Sequence, residues 1–155
     1  MIIYKKGSVL AATPRTVIAH SCNAQGIWGV GIAKQLATHF SDSLSEYAQY
    51  CQRPLGVLGT SIISYEHGYA LASLVTSEYY GQGRDSQDKI IRNTKNALDD
   101  LIRKLTSTNY VIFNAKEVNS PKINAGLYGV PWEQTEDLIK RAIRNTDITW
   151  IVWSL

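Results

Sequence analysis

The stretch Ile18-Ala19-His20-Ser21-Cys22-Asn23-Ala24-Gln25-Gly26-Ile27-Trp28-Gly29-Val30-Gly31-Ile32-Ala33 decides the fold. It begins in a short β-branched strand, Thr16–Ser21, and passes through a polar bend and three glycines. It then opens a helix over Gly31–Phe40, with Ile32, Leu36 and Phe40 on one stripe. Glycines at such a bend let backbone N–H groups approach a ligand closely, and a helix N-terminus adds about half a positive charge. The type is a strand–glycine–helix anion site; a tight βα turn with no ligand would use the same glycines. The spacing Gly26-x-x-Gly29-x-Gly31 matches neither a P-loop nor GxGxxG, and no Gly-Lys-Ser/Thr follows.

Working outward, short apolar strands alternate with amphipathic helices, the pattern of an α/β layered domain spanning residues 1–155. Ile2–Lys5 reads as a strand. Leu44, Tyr47, Ala48 and Cys51 continue the helical spacing after Phe40. Thr60–Ser64 and Tyr69–Thr76 read as strands meeting across Glu66-His67-Gly68 as a hairpin. The clearest helix covers Ser86 to Leu105, with Ile90, Thr94, Leu98, Leu101 and Leu105 on one face and Asp85 or Ser86 as its N-cap. Tyr110–Asn114 reads as a strand. Pro131 suits the first turn of a last helix, and Ile148–Trp153 is apolar on both faces, as a strand inside a covered sheet.

A second segment repeats the motif: Ser120-Pro121-Lys122-Ile123-Asn124-Ala125-Gly126-Leu127-Tyr128-Gly129-Val130-Pro131-Trp132. If both segments lie at the carboxyl ends of strands, they can clamp one anionic ligand in a crevice. A Pro/Gly turn before a capped helix explains Pro131 but not Asn124 and Tyr128 beside two glycines.

Composition narrows the field. The chain has 155 residues, 45% hydrophobic and 19% charged, which excludes disordered and low-complexity classes. No apolar run approaches the ~20 residues of a membrane span, and the N-terminus lacks a secretory h-region. A net charge of +3 suits an anionic small molecule and is too small to argue for nucleic acid. Cys22 and Cys51 form no disulfide framework or zinc pattern, and His20, His39 and His67 are scattered. A reduced, cytoplasmic protein without metal or cofactor is expected, with no membrane partner. Its oligomeric state is left open.

His-Ser-Cys-Asn with Gly-x-Trp-Gly-x-Gly-Ile-Ala, and then Pro-x-Ile-Asn-x-Gly-Leu-Tyr-Gly-Val-Pro-Trp, resemble the two ligand loops of the macro domain family. The likeness is to the branch holding yeast-type ADP-ribose 1″-phosphate phosphatases and terminal ADP-ribose glycohydrolases. It implies a three-layer α/β/α domain with a central mixed sheet. It also implies that Gly29, Val30, Gly31 and Ile32 line a diphosphate through backbone amides. Asn124, Ala125, Gly126, Leu127, Tyr128 and Gly129 would form the second clamp, with Tyr128 over the distal ribose and Asn23 on its hydroxyls. After Gly7 the family carries an acid or amide that reads adenine; this chain has Ser8. The glycohydrolases use a Lys–Asp pair, whereas Tyr128 stands at the Asp position and Ser77 or Glu78 near the Lys position. That favours the phosphatase, ADP-ribose 1″-phosphate being converted to ADP-ribose and phosphate. The alternatives are an ADP-ribosyl hydrolase acting on modified protein or nucleic acid, and a non-catalytic ADP-ribose-binding module.

Within that reading His20 and Asn23 are the expected catalytic residues, orienting the 1″-phosphate and the attacking water. Cys22 shares a face with His20, but a cysteine-phosphatase loop ends in Arg and none follows within ten residues, so packing is expected. Trp28 is a candidate for stacking on the ligand. Gly81-Gln82-Gly83-Arg84-Asp85 reads as an exposed loop with a cap, or as a lid carrying Arg84 or Asp85.

Overall fold

A computed structural model describes residues 1–29, 31–54, 56–107 and 114–155. In chain order the elements are β1 (Ile2–Lys6), β2 (Val17–Asn23), α1 (Gly31–His39), α2 (Ser41–Cys51), β3 (Ser61–Glu66) and β4 (Tyr69–Ser77). There follow α3 (Gln87–Thr106), β5 (Glu117–Ser120), α4 (Trp132–Ile143) and β6 (Thr149–Ser154). The six strands form one sheet in the order β1-β6-β5-β2-β4-β3. All neighbours are parallel except β3, which pairs antiparallel with β4. This is the mixed, three-layer α/β/α architecture that the loop resemblance implied.

Alternation along β2 and β4 builds the two outer layers, because successive strand side chains point to opposite faces. Val17, Ala19, Ala70, Ala72 and Leu74 pack against Leu98, Leu101 and Ile102 of α3 and Ile139 of α4. Ile18, Cys22, Leu71 and Val75 pack on the other side with Leu36 of α1 and Tyr47 of α2. Ser86 caps α3 through its hydroxyl, as the sequence suggested. The β3–β4 hairpin turns at His67 and Gly68, both with positive φ, the two-residue geometry that matches strand twist.

The strand beside β2 is β5, Glu117–Ser120, which the sequence did not announce. Of the expected strand Tyr110–Asn114, residues 110–113 lie outside the described residues, and Asn114 is not in a strand. Helices α1 and α4 follow neighbouring strands but leave to opposite faces. The ends of β2 and β5 therefore part at a topological switch point, where open α/β sheets place their ligand crevice.

Candidate functional site

Two loops line that crevice. The first runs from Asn23 to the start of α1, the second from Ser120 to the start of α4. They meet over the gap: a Cβ on Gly31 would lie 3.7 Å from Leu127 Cδ1. Leu127 is 61% exposed, so it spans the mouth rather than joining the core.

Several backbone donors of the two loops are left without a partner among the described residues. In the first loop Asn23 Oδ1 accepts from Gln25 N at 2.9 Å and Ile27 N at 3.4 Å, while its Nδ2 donates to Ile27 O at 2.8 Å. Gly29 N bonds nothing among the described residues, and Gly31 and Ile32 head α1, where N–H groups lack intrahelical partners. Val30 lies outside the described residues. In the second loop Ala125 N, Gly129 N and Val130 N donate to Lys122 O, Gly126 O and Asn124 O. The open amides there belong to Gly126, Leu127 and Tyr128. Ala125 and Gly129, expected to contact the ligand, have spent their N–H groups within the turn.

Both asparagines turn inward. Asn23 is 5% exposed, its amide is occupied by its own loop, and its carbonyl accepts from the Tyr47 hydroxyl. Asn124 holds φ +65° and ties the second loop to two elements. Its Oδ1 accepts from Thr76 Oγ1 of β4 at 3.0 Å, and its Nδ2 donates to Thr94 Oγ1 of α3 at 2.8 Å. Each side chain makes its hydrogen bonds within the fold.

His20 also turns inward. It is 0% exposed, with Cys22 Sγ 3.4 Å from Nδ1, Ser73 Oγ 3.4 Å from Nε2 and the Trp28 ring edge-on at 4.7 Å. Burial drops its pKa to about 3, so it is neutral at neutral pH and sits beneath the loop, out of the crevice. Trp28 is likewise core, stacked on Tyr47 at 5.4 Å. Burial pushes the Cys22 thiol well up, which keeps it protonated and inert. His39 and His67 are exposed.

The β4–α3 segment is the part of the site that sequence reasoning undervalued. Asp85 folds back so that its Oδ2 accepts from Glu78 N at 2.9 Å, and its own N–H donates to Ser77 Oγ at 3.1 Å. Gln87 Nε2 donates to Gly129 O at 3.0 Å, fastening this segment to the second loop. Tyr128, packed on Ile90 and Val130, has its hydroxyl pKa raised by burial first, then by Cys22 and by the Asp85 charge. The sequence signal was the Gly-Gln-Gly-Arg-Asp run itself; its proximity to a loop some forty residues later was not in it.

Gly7 and Ser8 follow β1 at the same edge of the sheet, with β6 and β5 between them and β2. Ser8 Oγ accepts from Leu10 N at 3.1 Å, capping a short 3-10 turn at Val9–Ala11. Among the described residues no group of three or more His, Cys, Asp or Glu could hold a metal ion. No described helix is long and apolar enough to cross a membrane.

A parallel-centred sheet with a glycine-lined crevice at its switch point defines an anion-binding α/β domain, and comparison with known proteins says which. The Macro domain family matches residues 19–139, and the chain belongs to that family. It is 37% identical over 148 residues to the ADP-ribose 1″-phosphate phosphatase of Candida albicans, covering 90% of this chain and 92% of that one. It is 36% identical over 131 residues to the enzyme of the same name from Lodderomyces elongisporus, covering 81% and 79%. Among solved structures, the macrodomain of Mycobacterium tuberculosis DarG superposes with a TM-score of 0.82 at 21% identity, over 100% of this chain and 98% of that one.

Proposed function

We propose that this protein hydrolyses ADP-ribose 1″-phosphate, with water entering and ADP-ribose and inorganic phosphate leaving. The carrying observation is the crevice between β2 and β5, with open amides on both sides, in a chain whose relatives over nine tenths of its length bear that activity as their name. Residues 1–155 act as one domain, with a cytoplasmic location suggested by two free cysteines.

Gly29, Gly31 and Ile32 on one side, and Gly126, Leu127 and Tyr128 on the other, would hold the diphosphate. The N-termini of α1 and α4 add favourable charge at no reorganisation cost. Gly7 and Ser8 would meet the adenine end, Tyr128 the distal ribose. Asp85 is the carboxylate beside Tyr128, and one of its oxygens remains beyond the bond from Glu78 N. It is the group we assign to take a proton from the attacking water, since His20 is fully enclosed and burial makes it a weak base.

The deciding assay offers ADP-ribose 1″-phosphate and ADP-ribosylated protein side by side and measures phosphate and ADP-ribose release. Phosphate release from the first alone is expected. Release from modified protein would favour the ADP-ribosyl hydrolase, and tight ADP-ribose binding without turnover a binding module. Asp85→Asn keeps an acceptor for Glu78 N, so it should fold normally and lower kcat by roughly 10²–10⁴-fold, the usual worth of acid–base catalysis. Full turnover in that variant would remove Asp85 from the chemistry.

A further inference from the structure

We infer that Arg84 is the residue that recognises the 1″-phosphate and so separates the phosphorylated substrate from free ADP-ribose; the inference rests on the phosphatase reading above. That substrate differs from its product by one nearly dianionic group, and the open amides of both loops are already assigned to the diphosphate. A second anion subsite therefore needs its own donors, and a guanidinium presents five in a fork matched to phosphate.

Arg84 meets this need by position. Its Nη2 lies 3.7 Å from where a Cβ on Gly129 would stand, next to Tyr128 and on the side of the second loop where the distal ribose is placed. Gly129 has φ +67° and no side chain, so the guanidinium lies close against the loop backbone with no Gly129 side chain between them. Nη1 donates to Gly81 O at 3.2 Å, and the Arg84 amide donates to the same carbonyl at 3.3 Å, which orients the fork without filling it. Among the described residues Arg84 makes no ion pair. The neighbouring Asp85 has one oxygen engaged by Glu78 N and makes no ion pair with Arg84; the Asp85–Ser77 bond ties the segment to the end of β4, and the Gln87–Gly129 bond ties the start of α3 to the loop. An exposed arginine without a carboxylate, clamped beside a glycine at the reacting end of a crevice, is a phosphate site in waiting.

The test compares wild type, Arg84→Gln and Arg84→Lys. Arg84→Gln should lower kcat/KM for ADP-ribose 1″-phosphate by about 10–100-fold, chiefly through KM, as expected for losing a charge-assisted contact. Inhibition by ADP-ribose should stay within about twofold, since it lacks the phosphate, and Arg84→Lys should recover part of the loss. Thermal melts should coincide, because the side chain is exposed. Calorimetry with both ligands gives a second readout: wild type should prefer ADP-ribose 1″-phosphate, and Arg84→Gln should lose that preference. A wild type that releases no phosphate defeats the functional reading, yet the calorimetric preference still decides Arg84. An undiminished preference in Arg84→Gln overturns the inference whether or not turnover is seen.

Discussion

The two loops that frame the crevice are built by opposite means. The first is shaped from within: Asn23 folds its amide over its own turn, and Tyr47, Trp28 and His20 fill the space beneath. The second is hung from outside: Asn124 reaches Thr76 on β4 and Thr94 on α3, and Gln87 of α3 holds the Gly129 carbonyl. The backbone of the first loop is also tied to the end of β4, but the Asn23 side chain serves chiefly its own turn, so its removal should disturb the rest of the molecule less. A loop tied to two elements carries global stability along with the site.

Asn124→Ala should therefore show the largest stability effect. It removes two buried hydrogen bonds and puts alanine at φ +65°, where L residues other than Asn pay steric strain. A loss of about 3–4 kcal/mol in urea melts is expected, together with lost ADP-ribose binding. Asn23→Ala should cost about 1–2 kcal/mol, while ADP-ribose affinity falls through misplaced amides at Gly29 and Gly31. Equal destabilisation by the two variants would break the contrast.

The layer beneath the first loop predicts an acid sensitivity. Above pH ~6.5 His20 is neutral in the folded and unfolded chain alike and contributes nothing. Below that, the unfolded chain takes up a proton that the folded protein refuses until about pH 3. Stability should then fall by about 1.4 kcal/mol per pH unit across the window, or about 3 kcal/mol by pH 4. Asp100 moves the same way lower down. Burial alone would raise its pKa, but hydrogen bonds from Lys104, Ser61 N and Arg103 and the Lys104 charge outweigh it and hold it at about 2. Its contribution is present above its ordinary value and is lost on falling toward 2. Urea melts of wild type and His20→Gln at pH 7, 5 and 4 isolate the histidine, because every other group cancels in the difference. Parallel pH profiles would show that His20 is not buried as described.

What the sequence made legible was periodic or covalently local. Helix α3 carries a long apolar stripe broken only by Thr94, and the hairpin declares itself by His67-Gly68 between two apolar runs. Strand β5 was illegible because three of its four residues are polar. Asn119 accepts from Trp153 Nε1 at 2.8 Å and Ser120 accepts from Trp150 Nε1 at 2.8 Å, so partners on β6 make a buried strand of Glu-Val-Asn-Ser acceptable. The same limit governs the site. A residue's type announces donors and acceptors, but whether Asn23, Asn124 and His20 spend them on a ligand or on the fold depends on neighbours distant in sequence. The glycines announced the crevice; the residues between them did not announce which way they faced.

The smallest expected change in stability tests where the amides of the two loops face. A Cβ on Gly126 would meet nothing within 4 Å, and its φ is not in the left-handed region, so Gly126→Glu should alter stability by less than about 0.5 kcal/mol. Its added charge would stand among the open N–H groups of Gly126, Leu127 and Tyr128, where the diphosphate is placed. ADP-ribose affinity should fall at least about tenfold in calorimetry, as like charges at short range oppose binding. Gly26 in the first loop is the counterpart. It has φ +79°, and a Cβ there would lie 3.1 Å from Ala48 Cα, so even Gly26→Ala should cost about 1–2 kcal/mol by forcing backbone apart. Unchanged affinity in a well-folded Gly126→Glu would move the ligand away from the second loop altogether.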